Sequence, residues 1–398
     1  MRCDGNIAAR QCGKELQLGR FFVFILVYLS IYGGVHGYAY SKLRKGFTLN
    51  PLSGWMLAMF MLIMIAAPVV TRMAERYNHE DIARITAYIG YIWMGFLFLF
   101  VTACVCFDVY SALLRLIRGV LPWDLIAIIP SYGFSCMVSI CLAVSIMIYG
   151  FFEARNIRLE HIVIESHKLP EDIQQIKIVQ ISDVHLGIIV GRHRLNRILQ
   201  RVREATPDIL VSTGDLVDGQ MDHMEELHGM IKNIHVPLGK FAVTGNHEFY
   251  AGIEKSLEFT ESAGFKMLRG EGVTLKNNLS LVGVDDPARP YRNRGNDFEK
   301  ALLSQFPRDH FTIYLKHQPV IDKGTVGLFD LQLSGHTHKG QIFPFGLATK
   351  LFYKMHAGLT KLPKGSWLYV SRGSGTWGPP VRFLSPPEVT LIELVRSE

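Results

Sequence analysis

Five short polar motifs hold the side chains of this chain that could do chemistry together. They are Asp183-Val-His185, Gly214-Asp215-Leu-Val-Asp218, Gly245-Asn246-His247-Glu248, His317 within Leu-Lys-His-Gln, and Gly335-His336-Thr-His338-Lys-Gly-Gln341. Carboxylates, imidazoles and one amide make a donor set of hard oxygen and borderline nitrogen with no thiolate, which suits Mn²⁺, Fe²⁺ or Zn²⁺. A carboxylate shared by two such cations holds them ~3.5–4 Å apart. A water between them loses a proton readily near neutral pH, and the hydroxide can attack phosphorus while the cations offset the phosphate charge. Any one motif alone is weak evidence; all five in this order point to a two-metal hydrolytic centre.

Each motif sits at the end of an apolar run. From residue 176 onward, strands and helices alternate in the pattern. Strands are expected at 176–182, 208–213, 240–244, 279–284, 311–316, 331–334, 367–371 and 389–395, and helices at 192–204, 221–233 and 253–263. In open α/β sheets functional groups gather at the carboxyl ends of strands, where every one of these motifs falls. Gly214, Gly245 and Gly335 suit the sharp backbone turns that expose the next side chain. Residues 153–168 read as a polar junction, and Asp285-Asp286-Pro287 reads as a turn.

Residues from about 160 to 398 resemble the calcineurin-like metallophosphoesterases, and most closely a bacterial membrane-associated branch with Gly-His-Thr-His-x-Gly-Gln. The tails Leu368-Tyr-Val-Ser-Arg-Gly-Ser-Gly-Thr376 and Pro386-Pro-Glu-Val-Thr-Leu391 share in the likeness. The resemblance implies a four-layer α/β/β/α sandwich and two divalent metal ions. It implies one metal on Asp183, His185, Asp215 and His338, and a second on Asp215, Asn246, His317 and His336, with Asp215 as the bridge. His247 then stands beside the substrate without binding metal, suited to stabilising charge and protonating the leaving oxygen. Asp218 suits orienting a histidine ligand. Lys339-Gly-Gln departs from one branch of the similar UDP-diacylglucosamine pyrophosphatases, so that substrate is not carried over. Arg372 is read either as a phosphate contact or as a buried structural arginine.

The first 152 residues are a different kind of chain. Four segments, 21–40, 52–70, 87–107 and 125–152, lack Asp, Glu, Lys and Arg over roughly the ~20 residues needed to cross a bilayer. In lipid their backbone groups must bond internally, so an all-α transmembrane region of four helices is expected, followed by a catalytic domain at 153–398. Basic residues flank these segments nine to five in favour of the side that carries residue 158, which places both termini inside and the catalytic half in the cytoplasm of a bacterium with a multi-pass inner-membrane protein. No ionisable residue lies at mid-depth apart from His36 near an end, so the segments read as an anchor or as a pocket for lipid chains rather than as a transport path.

Composition narrows the function classes. Of the net charge of +7, most lies in the first 150 residues, with 12 Lys/Arg against 7 Asp/Glu, which fits membrane topology better than a nucleic-acid footprint. All six cysteines precede residue 150, so the catalytic half has neither disulfides nor thiolate ligands. Residues 346–364 mix Leu347, Leu351, Phe352 and Tyr353 with Lys350, Lys354, Lys361 and Lys364, which suits either an anionic bilayer or a loop packed on the site. The leading expectation is a membrane-anchored phosphohydrolase acting on a phosphoester or pyrophosphate, with a phospholipid or lipid-linked phosphate as the substrate class. The other readings are a broad phosphodiesterase or phosphomonoesterase on soluble substrates, and a membrane sensor that uses the metals for binding alone.

Overall fold

A computed structural model gives the fold and describes residues 26–121, 126–219, 224–288 and 297–397. One compact unit holds the described residues up to Arg72 together with Ile89–Met147; the other holds Met73–Tyr88 and everything described from Ile148 onward.

Three helices among the described residues are long and apolar enough to cross a membrane, each with its greater part in the first unit: Pro51–Arg76, Glu80–Val120 and Tyr132–Glu153. Four were expected. The segment 21–40 begins outside the described residues; its described part is helical, with a π turn at Leu29–Gly33 continuing into Gly34–Gly46. That helix carries Gly33, Gly34 and Gly37 and ends in Lys42, Arg44 and Lys45, so its described length lacks a spanning apolar run. The span expected at 125–152 starts only at Tyr132, because Pro130 cannot continue a helix from its amino side and the Ser131 hydroxyl accepts from Phe134 N at 3.2 Å as a cap. Apolar side chains such as Leu52, Trp55, Ile63, Ile89 and Met137 point outward from these helices, the reverse of a water-soluble bundle.

The second unit is a four-layer α/β/β/α sandwich. Among the described residues, twelve strands form two mixed sheets. The first sheet, in spatial order, contains β1 (Arg158–Ser166), β12 (Glu388–Arg396), β2 (Gln175–Ile181), β3 (Ile209–Ser212), β4 (Lys240–Ala242) and β5 (Lys266–Met267). The second contains β10 (Gly358–Lys361), β11 (Trp367–Val370), β9 (Leu331–Ser334), β8 (Phe311–Leu315), β7 (Leu279–Gly283) and β6 (Glu271–Leu275). Strands β2 to β5 run parallel, as do β7, β8, β9 and β11. Parallel strands covered on both faces read as continuous apolar runs, and β3 and β8 are buried at every residue.

Three apolar clusters mark the layers. Ile178, Val211 and Phe241 from the first sheet meet Leu281, Ile313 and Leu333 from the second between the sheets. The outer face of the first sheet packs Val179, Ile181 and Leu210 on Leu195, Ile198 and Leu199 of the helix Arg192–Ala205. The outer face of the second packs Val282, Tyr314 and Leu368 on Leu302 and Leu303 of the helix Phe298–Leu303. The supposed junction 153–168 is instead the nine-residue β1, paired in parallel with β12 along its whole length. Its charged, half-exposed residues are those of an edge strand, which has one neighbour and little apolar alternation.

The end of the helix Tyr132–Glu153, from Ile148 onward, belongs to this unit. Gly150 O accepts from Arg382 N at 3.0 Å, and a side chain at Gly150 would press to 2.9 Å on the Arg382 carbonyl.

Candidate metal centre

The five motifs follow β2, β3, β4, β8 and β9, so the carboxyl ends of parallel strands from both sheets converge on one place. The backbone there is strained. Asp183, Asp215, His185, His336 and His338 all have positive φ, between 48° and 71°, a region that costs about 1–3 kcal/mol for residues other than glycine. Such strain persists only where the surroundings enforce it. Gly214, at φ 95°, provides the turn before Asp215. Gly245 and Gly335 serve differently from expectation: their backbones lack positive φ, and what excludes a side chain is contact, at 2.2 Å from Asp215 Oδ1 and 1.9 Å from Ser182 Oγ respectively.

Two neighbouring groups of donor atoms result. Asp183, His185 and His338 bring one donor each within 4.8 Å of one another, and so do Asp215, His317 and His336. In the first group His185 Nε2 lies 3.0 Å from His338 Nε2, and His338 Nε2 lies 3.4 Å from Asp183 Oδ1. In the second, His317 Nε2 lies 3.2 Å from Asp215 Oδ2 and 3.2 Å from His336 Nδ1. Asp215 Oδ2 is also 3.9 Å from His185 Nε2, which makes this carboxylate the link between the groups. Asn246 follows β4 at the start of the helix Asn246–Ala251, and its Oδ1 is buried without a hydrogen-bond partner. An orphaned buried carbonyl oxygen costs about 1–3 kcal/mol unless something not in the hydrogen-bond network satisfies it.

Protonation points the same way. Burial lowers His185 and His336 to about 4 and His338 further still, so these rings are neutral and carry lone pairs. Burial raises Asp183 to about 6, with the neighbouring Asp215 adding to the rise. Burial also pushes Asp215 up, but His317, His185 and His247 together outweigh it and hold the carboxyl low. Imidazole nitrogens and carboxylate oxygens crowded at 3.0–3.4 Å in a buried site are the kinds of donor a divalent cation takes once the rings give up their protons. The donor set therefore fits a metal centre.

His247 stands apart from both groups in its bonding. Its Nδ1 lies 2.8 Å from Asp218 Oδ1, and its backbone N donates to Asp215 Oδ1 at 2.8 Å. The donors of His185, Asp215 and His247 also fall within 4.8 Å, so distance alone would admit it as a ligand. Burial lowers the His247 pKa, yet the Asp218 hydrogen bond and the charges of Asp215, Asp218 and Glu248 raise it overall. It thus differs from His185, His336 and His338 in favouring the protonated state, as His317 also does beside the Asp215 carboxylate. Tyr250 and Trp377 pack edgewise on its ring at 5.5 and 5.8 Å, and Tyr353 packs on His336 at 5.4 Å.

Residues 176–340 match the family described as calcineurin-like phosphoesterase. An uncharacterized metallophosphoesterase of Aquifex aeolicus (strain VF5) is 40% identical over 257 residues, which cover 64% of this chain and 97% of that protein. This chain belongs to the calcineurin-like metallophosphoesterases. It is a metal-dependent phosphoester hydrolase. An uncharacterized metallophosphoesterase of Campylobacter jejuni is similar along nearly the full length, at 26% identity over 94% of this chain and 98% of that one. A bovine transmembrane protein with metallophosphoesterase domain is 35% identical over 57% of this chain, which spans about half of it, 55%.

Three residues of this metallophosphoesterase that sequence reasoning leaves without a role, or with a different one, support the centre. Glu248 is buried, and its carboxylate accepts from the backbone N of Gly245 at 2.6 Å, Asp215 at 3.0 Å and Leu216 at 2.7 Å. It ties the Asp215 loop to the Asn246 loop. Its signal is local: a glutamate three residues after Gly245 at a helix start matches a capping box. Asp218 holds His247 rather than a grouped histidine; His185 Nδ1 is 3.8 Å from it. Arg382, fully buried, places Nη2 3.1 Å from His338 Nδ1 and donates to the carbonyls of Arg372, Gly373 and Gly375. No motif or spacing announces it. Arg372 instead pairs with Glu160 and Glu388, so of its two readings the structural one holds. Asp285 binds Arg269, and Asp286 caps Ala288 N, as a turn requires.

Proposed function

We propose that this metallophosphoesterase is a dimetal phosphohydrolase anchored by residues 1–152, with residues 153–398 as its catalytic domain. Asp183, His185, Asp215 and His338 hold one divalent cation; Asp215, Asn246, His317 and His336 hold the other, with Mn²⁺, Fe²⁺ or Zn²⁺ as the fitting ions. The observation that carries this reading is the pair of donor groups linked through Asp215, beside the unpartnered Asn246 Oδ1. When bound, the cations supply an activated water and offset charge on the phosphate.

The chain's own residues do the rest. Asp218 holds His247 through Nδ1 and favours the protonated ring, which leaves Nε2 to deliver a proton to the departing oxygen. Glu248 fixes the spacing of the Asp215 and Asn246 loops. The aromatic rim of Tyr250, Trp377 and Tyr353 favours a substrate with an apolar portion next to the phosphate. With the three apolar helices, that supports a phospholipid or lipid-linked phosphoester or pyrophosphate as substrate. The nine-to-five bias of basic residues supports a multi-pass protein of the bacterial inner membrane with the catalytic domain on the cytoplasmic side.

The test is a turnover panel on full-length, manganese-loaded protein in mixed micelles, covering lipid phosphates, nucleotide-linked lipids and soluble mono- and diesters. Preference for the lipid-bearing esters is the expected result. Equal or better turnover of soluble esters would replace the lipid class with a broad phosphodiesterase. Tight binding of phosphate esters with no turnover of any would reduce the protein to a sensor.

A further inference from the structure

The helix Phe345–Phe352, which follows the histidine motif, is built inside out. At 100° per residue, Phe345, Leu347, Ala348, Leu351 and Phe352 occupy one broad arc, and Gly346 lies on the opposite side. The glycine side is the one that meets the protein. A Cβ on Gly340 would lie 2.3 Å from Gly346 Cα, and one on Gly346 would lie 2.8 Å from Lys339 O. Two glycines thus press the helix backbone onto the loop that carries His336 and His338. The large apolar side chains are left facing outward: Leu351 is 84% and Phe352 83% exposed. A helix that only packed over the site would be turned the other way, with these side chains inward and Lys350 outward.

The place of this helix in the fold identifies what covers it. Phe343, just before the helix, donates from its backbone N to Phe383 O at 3.1 Å, and Ile342 bridges to Phe383. Phe383 in turn packs edgewise on Tyr149 at 6.0 Å, next to the bond between Arg382 N and Gly150 O. Tyr149 and Gly150 are in the last turn of the apolar helix Tyr132–Glu153. The outward apolar face is therefore joined, through one bridge, to the end of a helix fit to cross a membrane. Lys350 and Lys354 flank it, the arrangement that suits anionic headgroups. Tyr353, the next residue after the helix, packs on His336.

We propose that Phe345–Phe352 lies in the interface of the bilayer that holds Tyr132–Glu153, with Leu351 and Phe352 among the acyl chains. The mouth of the metal centre then opens at headgroup level, where a phosphoester attached to a lipid enters without leaving the membrane. This rests on reading Tyr132–Glu153 as a membrane span, and it does not require turnover.

The experiment uses the full chain in nanodiscs of phosphatidylcholine and phosphatidylglycerol carrying a radiolabelled lipid. The photoreactive residue p-benzoylphenylalanine replaces Leu351 in one protein and Phe352 in a second. It replaces Met137, exposed on the apolar helix, as a lipid-facing reference, and Glu258, exposed on the helix Ile253–Ser262, as a water-facing one. The expected result is lipid adducts at 351 and 352 within about threefold of those at 137 and at least about tenfold above those at 258. Adducts at 137 with only the level of 258 at both 351 and 352 would overturn the inference and leave the spans standing. Background at 137 as well would overturn the membrane reading and the inference with it.

Discussion

Two buried histidines, one in each half of the chain, separate a structural imidazole from a reactive one. His36 lies in the helical region, and both its nitrogens are spoken for: Nδ1 is 2.8 Å from Tyr32 O, and Trp93 Nε1 donates to Nε2 at 2.9 Å. His185 lies in the sandwich with its Nε2 3.0 Å from another imidazole nitrogen and its Nδ1 without a hydrogen bond. Both are almost wholly excluded from water. Burial alone therefore says nothing about chemistry. What differs is satisfaction: a neutral ring with one donor and one acceptor can close its bonds locally, as His36 does. His185 leaves one nitrogen unbonded on a strained backbone among other metal-type donors, a setting that suits a cation, and Asn246 Oδ1 is likewise unbonded.

The largest break in that contrast comes from removing the charge that links the two donor groups. Asp215→Asn keeps the volume but removes the one anionic group shared by both, leaving Asp183 as the other carboxylate of the set. Metal assistance supplies several kcal/mol of charge stabilisation, so turnover is expected to fall by more than ~10³-fold. Elemental analysis should find less than the wild-type cation content. Full cation content with normal turnover would show that Asp215 is not the link.

His247→Ala tests the other side of the contrast, a histidine in the sandwich that is satisfied through Asp218. The expected loss is ~10²–10⁴-fold in kcat, the usual contribution of a general acid, with cation content unchanged. Loss of both cations would make His247 a ligand, as its distance to His185 and Asp215 permits. Asp218→Asn should have a smaller effect of the same kind, ~10–100-fold, because the ring keeps a hydrogen-bonding partner but loses the charge that favours its proton. A matching loss of metal would move Asp218's role from His247 to His185, 3.8 Å away.

How much of this was legible beforehand depended on burial from both faces. The strands β3, β8 and β9 are buried at every residue and β2 over its last four, because helices or the other sheet cover them, so the motifs at their ends stand out. Edge strands lack that signal: β1 read as a junction, and β6 and β10, with half-exposed polar residues, were not seen. The helix Phe345–Phe352 is not expected as a helix, only as part of a bilayer-facing segment or a loop on the site, because Gly346 lies inside its single pair of turns and its apolar face looks outward. The eight expected site residues share one locus, but the long-range bonds that brace them do not follow from spacing. Arg382 reaches His338 across 44 residues, and only the fold brings them together.

The smallest expected effect sharpens the contrast from the side of the satisfied histidine. His36→Leu keeps an apolar, similarly sized group at a buried helical position but removes the acceptor for Trp93 Nε1 and the donor to Tyr32 O. The indole N–H then has no partner in an apolar setting, at a cost of about 1–3 kcal/mol, partly offset by burying more hydrocarbon. Thermal unfolding of the full chain in detergent should shift down by a few degrees, while cation content and kcat of the manganese-loaded enzyme stay at wild-type values, because nothing at the metal centre bonds to His36 among the described residues. A drop in cation content or in kcat larger than the loss of folded protein would mean that a fully bonded imidazole can still act in the chemistry, and hydrogen-bond satisfaction would no longer separate the two halves.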